Sequence, residues 1–396
     1  MTEAANDGAS REPAPPDRAA EGHAYAEVTG AEREQILKAL IDSMDADARL
    51  RAALLINVYN AGEANHATNL VLGDALTRDD KPCEFAAEIR KVFTHVLKDD
   101  EGICWLVKKR KKGFDVLGDW MQNVRYREEF AYRLLRHTSN QAEIRRITEE
   151  DLKRSPGLGA IADNLEACYL SRLVMDGNLD ADSLPHKNEP QAASAIFVAN
   201  VLIRKYDPHL FNLAYSHGVP VSVDNDMAFG FDRNLKHPES LRFPIFEFYF
   251  LRHAVYILFR VVLGESQAPE GSPNQELHRV ITKMDFDEIH HRPQNVVSEF
   301  ISARQRFGFG DAVMAAFALD ENHLRESIRE HKKIEAVRET AVEAGYAGEE
   351  LDEVVALIEG NRQTLGRDVE QILRAITGRD YGFDTIDAGF PGPGRD

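Results

Sequence analysis

The sequence contains only three cysteines among its 396 residues, and they lie far apart, at positions 83, 104 and 168. Thiols this few and this scattered argue against a disulfide framework and against a structural zinc site. We therefore expect a protein of a reducing compartment and predict a cytoplasmic location.

Long uncharged apolar runs are also missing. The most apolar window, residues 243–263, is interrupted by charged or ionisable side chains at Glu247, Arg252, His253 and Arg260. Such side chains are costly in hydrocarbon, so the window is interpreted as a buried core helix and no membrane span is expected. Residues 1–30 lack the basic and apolar regions of a secretory signal, and their Ala-, Pro- and acid-rich composition predicts a disordered leader.

Basic residues are in deficit, with 48 Lys and Arg against 66 Asp and Glu and a net charge of −18. This balance argues against a nucleic acid bound across a broad surface. One compact basic run remains, from Lys108 to Lys112, and it is either a solvated turn or a peripheral contact with anionic headgroups. The length and the 43% apolar content allow two domains or one two-lobed domain.

Two acidic loops in residues 197–230 carry the strongest chemical signal. Asp207 and Asn212 lie five positions apart, and an apolar, strand-like run from Val219 to Val223 then leads to Asp224. In phosphoryl-transfer enzymes of the protein-kinase type, such an Asp is the catalytic base, the Asn binds the metal, and a second Asp on the following turn holds the metal's other face. The spacing therefore predicts a base at Asp207 and Mg²⁺ ligands at Asn212 and Asp224.

These loops also carry a family resemblance. The segments D-P-H-L-F-N (207–212) and V-D-N-D-M-A-F-G (223–230) resemble the loop pair of atypical kinases, namely the phosphatidylinositol 3/4-kinases and the HipA-type kinases. Residues 235–244 are similar to the segment that follows the metal-binding Asp in type II phosphatidylinositol 4-kinases. The resemblance implies an α+β, protein-kinase-like two-lobed fold that binds ATP and Mg²⁺. It also implies that Asp226 is a candidate second metal site. Pro208 stands where these families usually have Arg.

A Lys and a Glu upstream fit the same chemistry. The apolar run 103–108 predicts a strand whose last residue, Lys108, points its ammonium group at nucleotide phosphates. The periodicity of residues 123–137 predicts a helix with Glu128 on its apolar face, and a carboxylate there requires a cationic partner. We therefore predict a Lys108–Glu128 pair, and a resemblance of R-E-E-F-A-Y-R-L to a HipA-type helix favours Glu128 over Glu129. The alternative is an exposed Glu in an Arg-rich helix.

Two further segments are candidate nucleotide contacts. Between the apolar runs 54–59 and 70–73, backbone amides around Gly62 and Asn65 could cover phosphates, although an ordinary hairpin or a helix end fits as well. The strand-like run 167–175 ends at Met175, and in the kinase interpretation its backbone would bind adenine. The alternative for this run is a plain core strand.

The pattern predicts helices over residues 32–44 and 84–97, and one that begins near residue 191. Beyond residue 230 it predicts helices over 245–263, 274–283, 296–307, 311–318, 322–344 and 347–375. We expect residues 31–178 to form a small, β-containing N-lobe with a helical extension and residues 179–375 to form a mainly helical C-lobe. Residues 376–396 are predicted to be a flexible tail.

Together these observations predict an ATP-dependent phosphotransferase. The acceptor would be a hydroxyl group of a protein Ser or Thr, or of a small molecule such as an inositol-lipid headgroup. The alternative is a non-catalytic kinase fold or a helical interaction scaffold, which Pro208 and the single glycine of the loop at residues 60–69 favour.

Overall fold

The structure is a computed structural model of the chain, and it describes residues 23–42, 95–109, 124–161, 168–174, 179–205, 213–225, 228–229, 314 and 318–388. These residues form a mixed α+β protein with a five-stranded antiparallel sheet, a two-stranded sheet and a set of packed helices. The predicted α+β class is confirmed.

The larger sheet contains strands β1 (Tyr25–Glu27), β2 (Val96–Asp99), β3 (Cys104–Lys109), β4 (Ile144–Arg146) and β5 (Cys168–Arg172) in the order β1-β2-β3-β5-β4. The middle strand β3 is buried on both faces. Trp105 and Val107 pack into one apolar cluster, and Cys104 and Leu106 pack into another. This burial explains why the sequence of β3 is a continuous apolar run.

The turn between β2 and β3 fixes the register of the middle strand. One carboxylate oxygen of Asp99 accepts hydrogen bonds from the backbone N–H groups of Glu101 and Ile103, and the other accepts from Trp105 Nε1. Gly102 has a φ of 82°, which favours glycine. The register of β3 in turn determines where Lys108 lies.

The remaining elements include α1 (Gly30–Asp42), α2 (Val124–Leu135), α3 (Glu149–Arg154), α4 (Leu158–Ile161), a 3₁₀ turn (Ala181–Ser183) and α5 (Glu189–Leu202). They are followed by the hairpin of β6 (Leu213–Ser216) and β7 (Val219–Ser222), and then by α6 (Glu321–Lys332), α7 (Val337–Ala344), α8 (Gly348–Thr377) and α9 (Thr385–Ala388). Helix α5 is buried from residue 194 to residue 202, and it packs against α6, α8 and β7.

The main hydrophobic core contains residues from α2, α5, α6, α7 and α8. The Phe130 ring of α2 lies 4.9 Å from the ring of Phe229 and 5.6 Å from that of Tyr346, which follows α7. Helix α2 is thereby fixed between the sheet and the helices, and its position sets the position of Glu128.

Several predicted boundaries are wrong. The leader was predicted to extend to residue 30, but Tyr25–Glu27 pairs with β2. The helix predicted over 84–97 is wrong at its end, because Val96–Asp99 is a strand. The single helix predicted over 322–344 is two helices, since Ala336 between them has a left-handed φ of 55°. The helices predicted between residues 245 and 307 lie outside the described residues.

The predicted flexible tail from residue 376 is also wrong as far as residue 388. Buried Lys332 donates to Asp387 Oδ1 at 2.7 Å and to the carbonyl of Arg362 at 2.6 Å. Glu370 of α8 accepts from the backbone N–H groups of Tyr381 and Phe383. The sequence pattern missed this docking because it depends on single polar contacts across 11 to 55 residues.

Replacing Asp387 with Ala is expected to destabilise the protein by about 3–5 kcal/mol, because it leaves the buried Lys332 ammonium without its carboxylate. Denaturant unfolding measures the change. The matched control is Asp380→Ala: the Asp380 carboxylate pairs with Arg374 but is 71% exposed, and surface pairs contribute about 1 kcal/mol or less. Equal effects of the two substitutions would show that Asp387 does not anchor residues 378–388 to the helices.

His331 predicts a pH dependence of stability. It is fully buried in α6, and its Nδ1–H donates to the carbonyl of Ser327 at 2.8 Å. Burial lowers the pKa of His331 from 6.5 to about 4. The unfolded chain therefore binds the proton first, and stability falls as pH drops from about 6.5 towards 4, by up to about 3 kcal/mol.

Replacing His331 with Gln removes this titration and retains a side-chain donor. Urea unfolding at about pH 4.5 and about pH 7.5 should then show a smaller loss of stability in the variant than in the wild type. An identical loss in both proteins would assign the pH dependence to other groups.

Candidate functional site

The site is centred on Lys108, at the end of the apolar part of β3. Lys108 is paired with Tyr169 of β5. Its Nζ donates to Glu128 Oε1 of α2 at 2.5 Å and to Asp224 Oδ1, after β7, at 2.8 Å. The Lys108 ammonium thus contacts two carboxylates, one 20 residues and the other 116 residues further along the chain. The predicted contact between Lys108 and Glu128 is confirmed.

The surroundings of Glu128 hold its side chain in one orientation. Its side chain is 1% exposed. Besides Lys108, Oε1 accepts from the Tyr169 hydroxyl and Oε2 accepts from the backbone N–H of Asn225, each at 3.1 Å. A carboxylate with this many donors is fixed in place and can position its partner Lys108.

The neighbouring Glu129 has a different environment, although it is equally buried. It pairs with Arg133, one turn further along α2, at 2.9 Å and with Arg146 of β4 at 2.5 Å. The pair with Arg146 joins α2 to the edge of the sheet, and neither pair involves Lys108. The choice of Glu128 over Glu129 as the partner of Lys108 is confirmed.

Asp224 is placed by the β6–β7 hairpin. The turn residues His217 and Gly218 both have positive φ, of 53° and 73°, as a type I′ turn requires. Asp224 follows β7 with a φ of 59°, a strained conformation for a non-glycine residue of the kind that concentrates at functional sites.

The Asp224 carboxylate is 42% exposed. The partial burial of its side chain raises the pKa of Asp224, but the charge and hydrogen bond of Lys108, together with the charge of Lys205, outweigh that effect and hold the pKa well below its usual range. Asp224 is therefore a carboxylate at neutral pH. Partial exposure leaves it able to bind a cation, for which carboxylate oxygens are suitable ligands.

Sequence reasoning missed Lys205 and Asn225. Lys205 is almost fully buried, and its Nζ donates to the carbonyl of Val223 at 2.9 Å and to Asn225 Oδ1 at 3.0 Å. It lies three residues after the last residue of the buried helix α5, and a Lys so close to a buried helix requires a polar partner. That signal could have identified Lys205, whereas Asn225 has no periodic or motif signal of its own.

Six predicted site residues lie outside the described part of the chain: Gly62, Asn65, Met175, Asp207, Asn212 and Asp226. Their predicted roles stay predictions. The last described residue before Asp207 is Lys205, which contacts Val223 and Asn225 on either side of Asp224. Lys205, two residues before the predicted base, therefore lies next to Asp224.

The described residues contain no group of three or more His, Cys, Asp or Glu side chains that could hold a metal ion. Asp224 is the one predicted Mg²⁺ ligand among them, and its ionised, partly exposed carboxylate fits that role. Asn212 and Asp226 would have to complete the set. None of the helices in the described part of the chain is long and apolar enough to span a membrane.

Comparison of the chain with protein-family models, with curated proteins and with solved structures found no match. A functional assignment therefore depends on the chain's own residues and contacts.

The Lys108–Glu128 pair predicts strong coupling in a double-mutant cycle. Removing either side chain leaves a buried or half-buried charge, so Lys108→Met and Glu128→Gln should each destabilise the protein, and the double variant should be little worse than either. We expect a coupling free energy of about 2 kcal/mol in denaturant unfolding.

The matched control is the Lys98–Glu32 pair, whose ammonium and carboxylate are 3.0 Å apart but whose side chains are 43% and 54% exposed. Its coupling should be much weaker, because solvent screens exposed pairs. Additive effects of the Lys108 and Glu128 substitutions would mean that the two charges do not interact in solution.

Proposed function

We propose that this protein is an ATP-dependent phosphotransferase with a protein-kinase-like, two-lobed fold. The observation that carries the proposal is the Lys108 ammonium, which contacts a buried carboxylate on a helix and a partly exposed carboxylate after a hairpin. In phosphoryl-transfer enzymes of the kinase type, a strand Lys paired with a helix Glu contacts phosphates, and an Asp on a later turn binds Mg²⁺. In this proposal the five-stranded sheet and α2 belong to the small lobe, and α5 to α8 belong to the large one.

The charges of the site suit a magnesium–nucleotide complex. The ammonium groups of Lys108 and Lys205 favour an anionic ligand, and the Asp224 carboxylate favours a divalent cation. Groups fixed in advance by hydrogen bonds stabilise charge without reorganising during the reaction. Bound ATP would supply the transferable γ-phosphoryl group, and Mg²⁺ would neutralise its charge.

Each residue has a separate role in this proposal. Glu128 orients Lys108, and Lys108 holds the phosphates. Asp224 and Asn212 bind Mg²⁺, with Asp226 as the candidate second site, and Asp207 accepts the proton of the acceptor hydroxyl or orients it. The acceptor is a protein Ser or Thr or a small hydroxylated molecule such as an inositol-lipid headgroup.

The resemblance of the 207–212 and 223–230 segments to phosphatidylinositol kinases and HipA-type kinases supports the same activity. Pro208, in place of the usual Arg, favours the alternative of a non-catalytic kinase fold. An active phosphotransferase transfers phosphate, and a non-catalytic kinase fold does not. A helical scaffold would bind no nucleotide at all.

The test has two stages. Thermal unfolding of the full chain with a non-hydrolysable ATP analogue should show Mg²⁺-dependent stabilisation, of about 2.7 kcal/mol at a ligand concentration 100 times the Kd. Radiolabelled ATP is then incubated with the protein and either a cell lysate or vesicles that contain phosphatidylinositol. Labelled protein or labelled lipid supports the enzyme and identifies the acceptor class. Stabilisation without transfer supports the non-catalytic fold, and no stabilisation contradicts the proposal.

A further inference from the structure

Asn225 occupies a central position in the site that the proposed chemistry does not use. It is buried, and its backbone N–H donates to Glu128 Oε2 at 3.1 Å. Its side-chain Oδ1 accepts from Lys205 Nζ, and its Nδ2 donates to Gln141 Oε1, each at 3.0 Å. One residue thus joins α2, the segment after α2 and the end of α5 at the position next to Asp224.

We propose that Asn225 is a positioning residue that keeps Glu128 and Asp224 at the Lys108 ammonium. Its role in catalysis rests on the proposed function, whereas its hydrogen bonds to Glu128, Lys205 and Gln141 are present in the structure. Because Asp224 and Asn225 are adjacent, the bonds on Asn225 fix the peptide that orients the Asp224 carboxylate. The N–H bond to Glu128 fixes the second carboxylate through the same residue.

The chemistry of the amide explains why Asn fits here. Its oxygen faces a buried ammonium, and its NH₂ group faces an acceptor oxygen of Gln141. Leu has almost the same shape but can make neither bond, so Asn225→Leu leaves the buried Lys205 ammonium with one partner fewer. Asp can still accept from Lys205.

Asp at position 225 can also retain the contact with Gln141. Gln141 Nε2 donates to the Ser139 hydroxyl, and a hydroxyl can donate as well as accept. Rotation of the Gln141 amide would therefore present its NH₂ group to the new carboxylate and its oxygen to Ser139. Asn225→Asp is thus the conservative variant that should preserve the site.

The readout is the rate at which an amine-selective acylating reagent modifies Lys108 in the folded full-length protein, measured by mass spectrometry relative to exposed Lys153. An ammonium held between two carboxylates reacts slowly. Asn225→Leu should raise the relative rate of Lys108 by about 10-fold, the scale of one lost hydrogen bond to a charged group. Asn225→Asp should stay within about 2-fold of the wild type.

The control is Asn361→Leu in α8. Asn361 is also buried, and its Nδ2 donates to the carbonyl of Leu202 at 2.8 Å. It should lower stability without changing the relative rate of Lys108. If Asn225→Leu does not fold, Gln141→Leu replaces it, removes one of the same bonds, and should raise the rate by about 3-fold.

Equal Lys108 rates in the wild type and in the folded Asn225 or Gln141 variant would overturn the positioning role. A rate increase shared with Asn361→Leu would overturn it too, because it would reflect general loosening. Magnesium–ATP binding is measured in parallel, and Asn225→Leu should weaken it by about 10-fold or more. A wild type that binds no nucleotide defeats the proposed function, while the acylation result still decides the role of Asn225.

Discussion

Replacing Asp224 with Asn is expected to abolish the Mg²⁺-dependent stabilisation of the protein by an ATP analogue while leaving the fold intact. Asn has nearly the same shape but no charge. It therefore removes the proposed cation ligand, whose low pKa keeps it ionised. At a ligand concentration 100 times the wild-type Kd, the variant should lose about 2.7 kcal/mol of stabilisation, measured as a difference in thermal unfolding with and without Mg²⁺.

The matched control for this substitution is Asp182→Asn. Asp182 is 99% exposed and lies 3.8 Å from Lys187, so its loss should leave the nucleotide effect unchanged. A second control is unfolding without ligand, in which Asp224→Asn should still show a cooperative transition. If Asp224→Asn is stabilised by magnesium and nucleotide as much as the wild type, Asp224 is not a metal ligand.

Replacing Asp207 with Ala is expected to lower the rate of phosphate transfer by about 100-fold or more, the scale of losing a positioned base, with little change in nucleotide affinity. Pro208 disfavours the helical conformation at Asp207, so the carboxylate is expected to lie outside the preceding helix and to face an acceptor. Asn212→Ala should weaken both transfer and affinity, because Asn212 is predicted to bind the metal.

Single-turnover transfer with radiolabelled ATP separates these effects, since it measures the chemical step apart from product release. The control is Asp182→Ala, which removes a carboxylate away from the predicted loops and should transfer at the wild-type rate. Undiminished transfer by Asp207→Ala would place the base elsewhere in the chain.

The elements around Lys108 could be predicted because local patterns specify them. β3 is an apolar run buried on both faces, and the helical periodicity of α2 placed Glu128 on the face that carries Ala131 and Leu135. A carboxylate on a buried face requires a cation, and this physical requirement predicts the Lys108 contact from the sequence.

The elements that could not be predicted depend on distant partners. β1 has only three residues and exists because β2, about 70 residues away, pairs with it. Val96 and Leu97 continue an apolar helical pattern in sequence, but pairing with β1 and β3 makes them a strand. Such tertiary pairing overrides local propensity.

The same reasoning explains which site residues were missed. Lys205 and Asn225 act through hydrogen bonds to each other and to Glu128, Gln141 and Val223, and none of these bonds produces a repeating pattern in the sequence. The docked segment 378–388 was missed for a similar reason, because Lys332 and Glu370 bind it through single contacts.

In the proposed site Lys108 contacts nucleotide phosphates, and an acyl-phosphate derivative of ATP can detect this contact. This probe binds as ATP does and transfers its acyl group to a lysine beside the phosphates. We predict that mass spectrometry finds the label on Lys108, that ATP with Mg²⁺ prevents it, and that Asp224→Asn weakens this protection. Labelling spread over exposed lysines such as Lys153, unchanged by excess ATP and Mg²⁺, would contradict the assignment of this site.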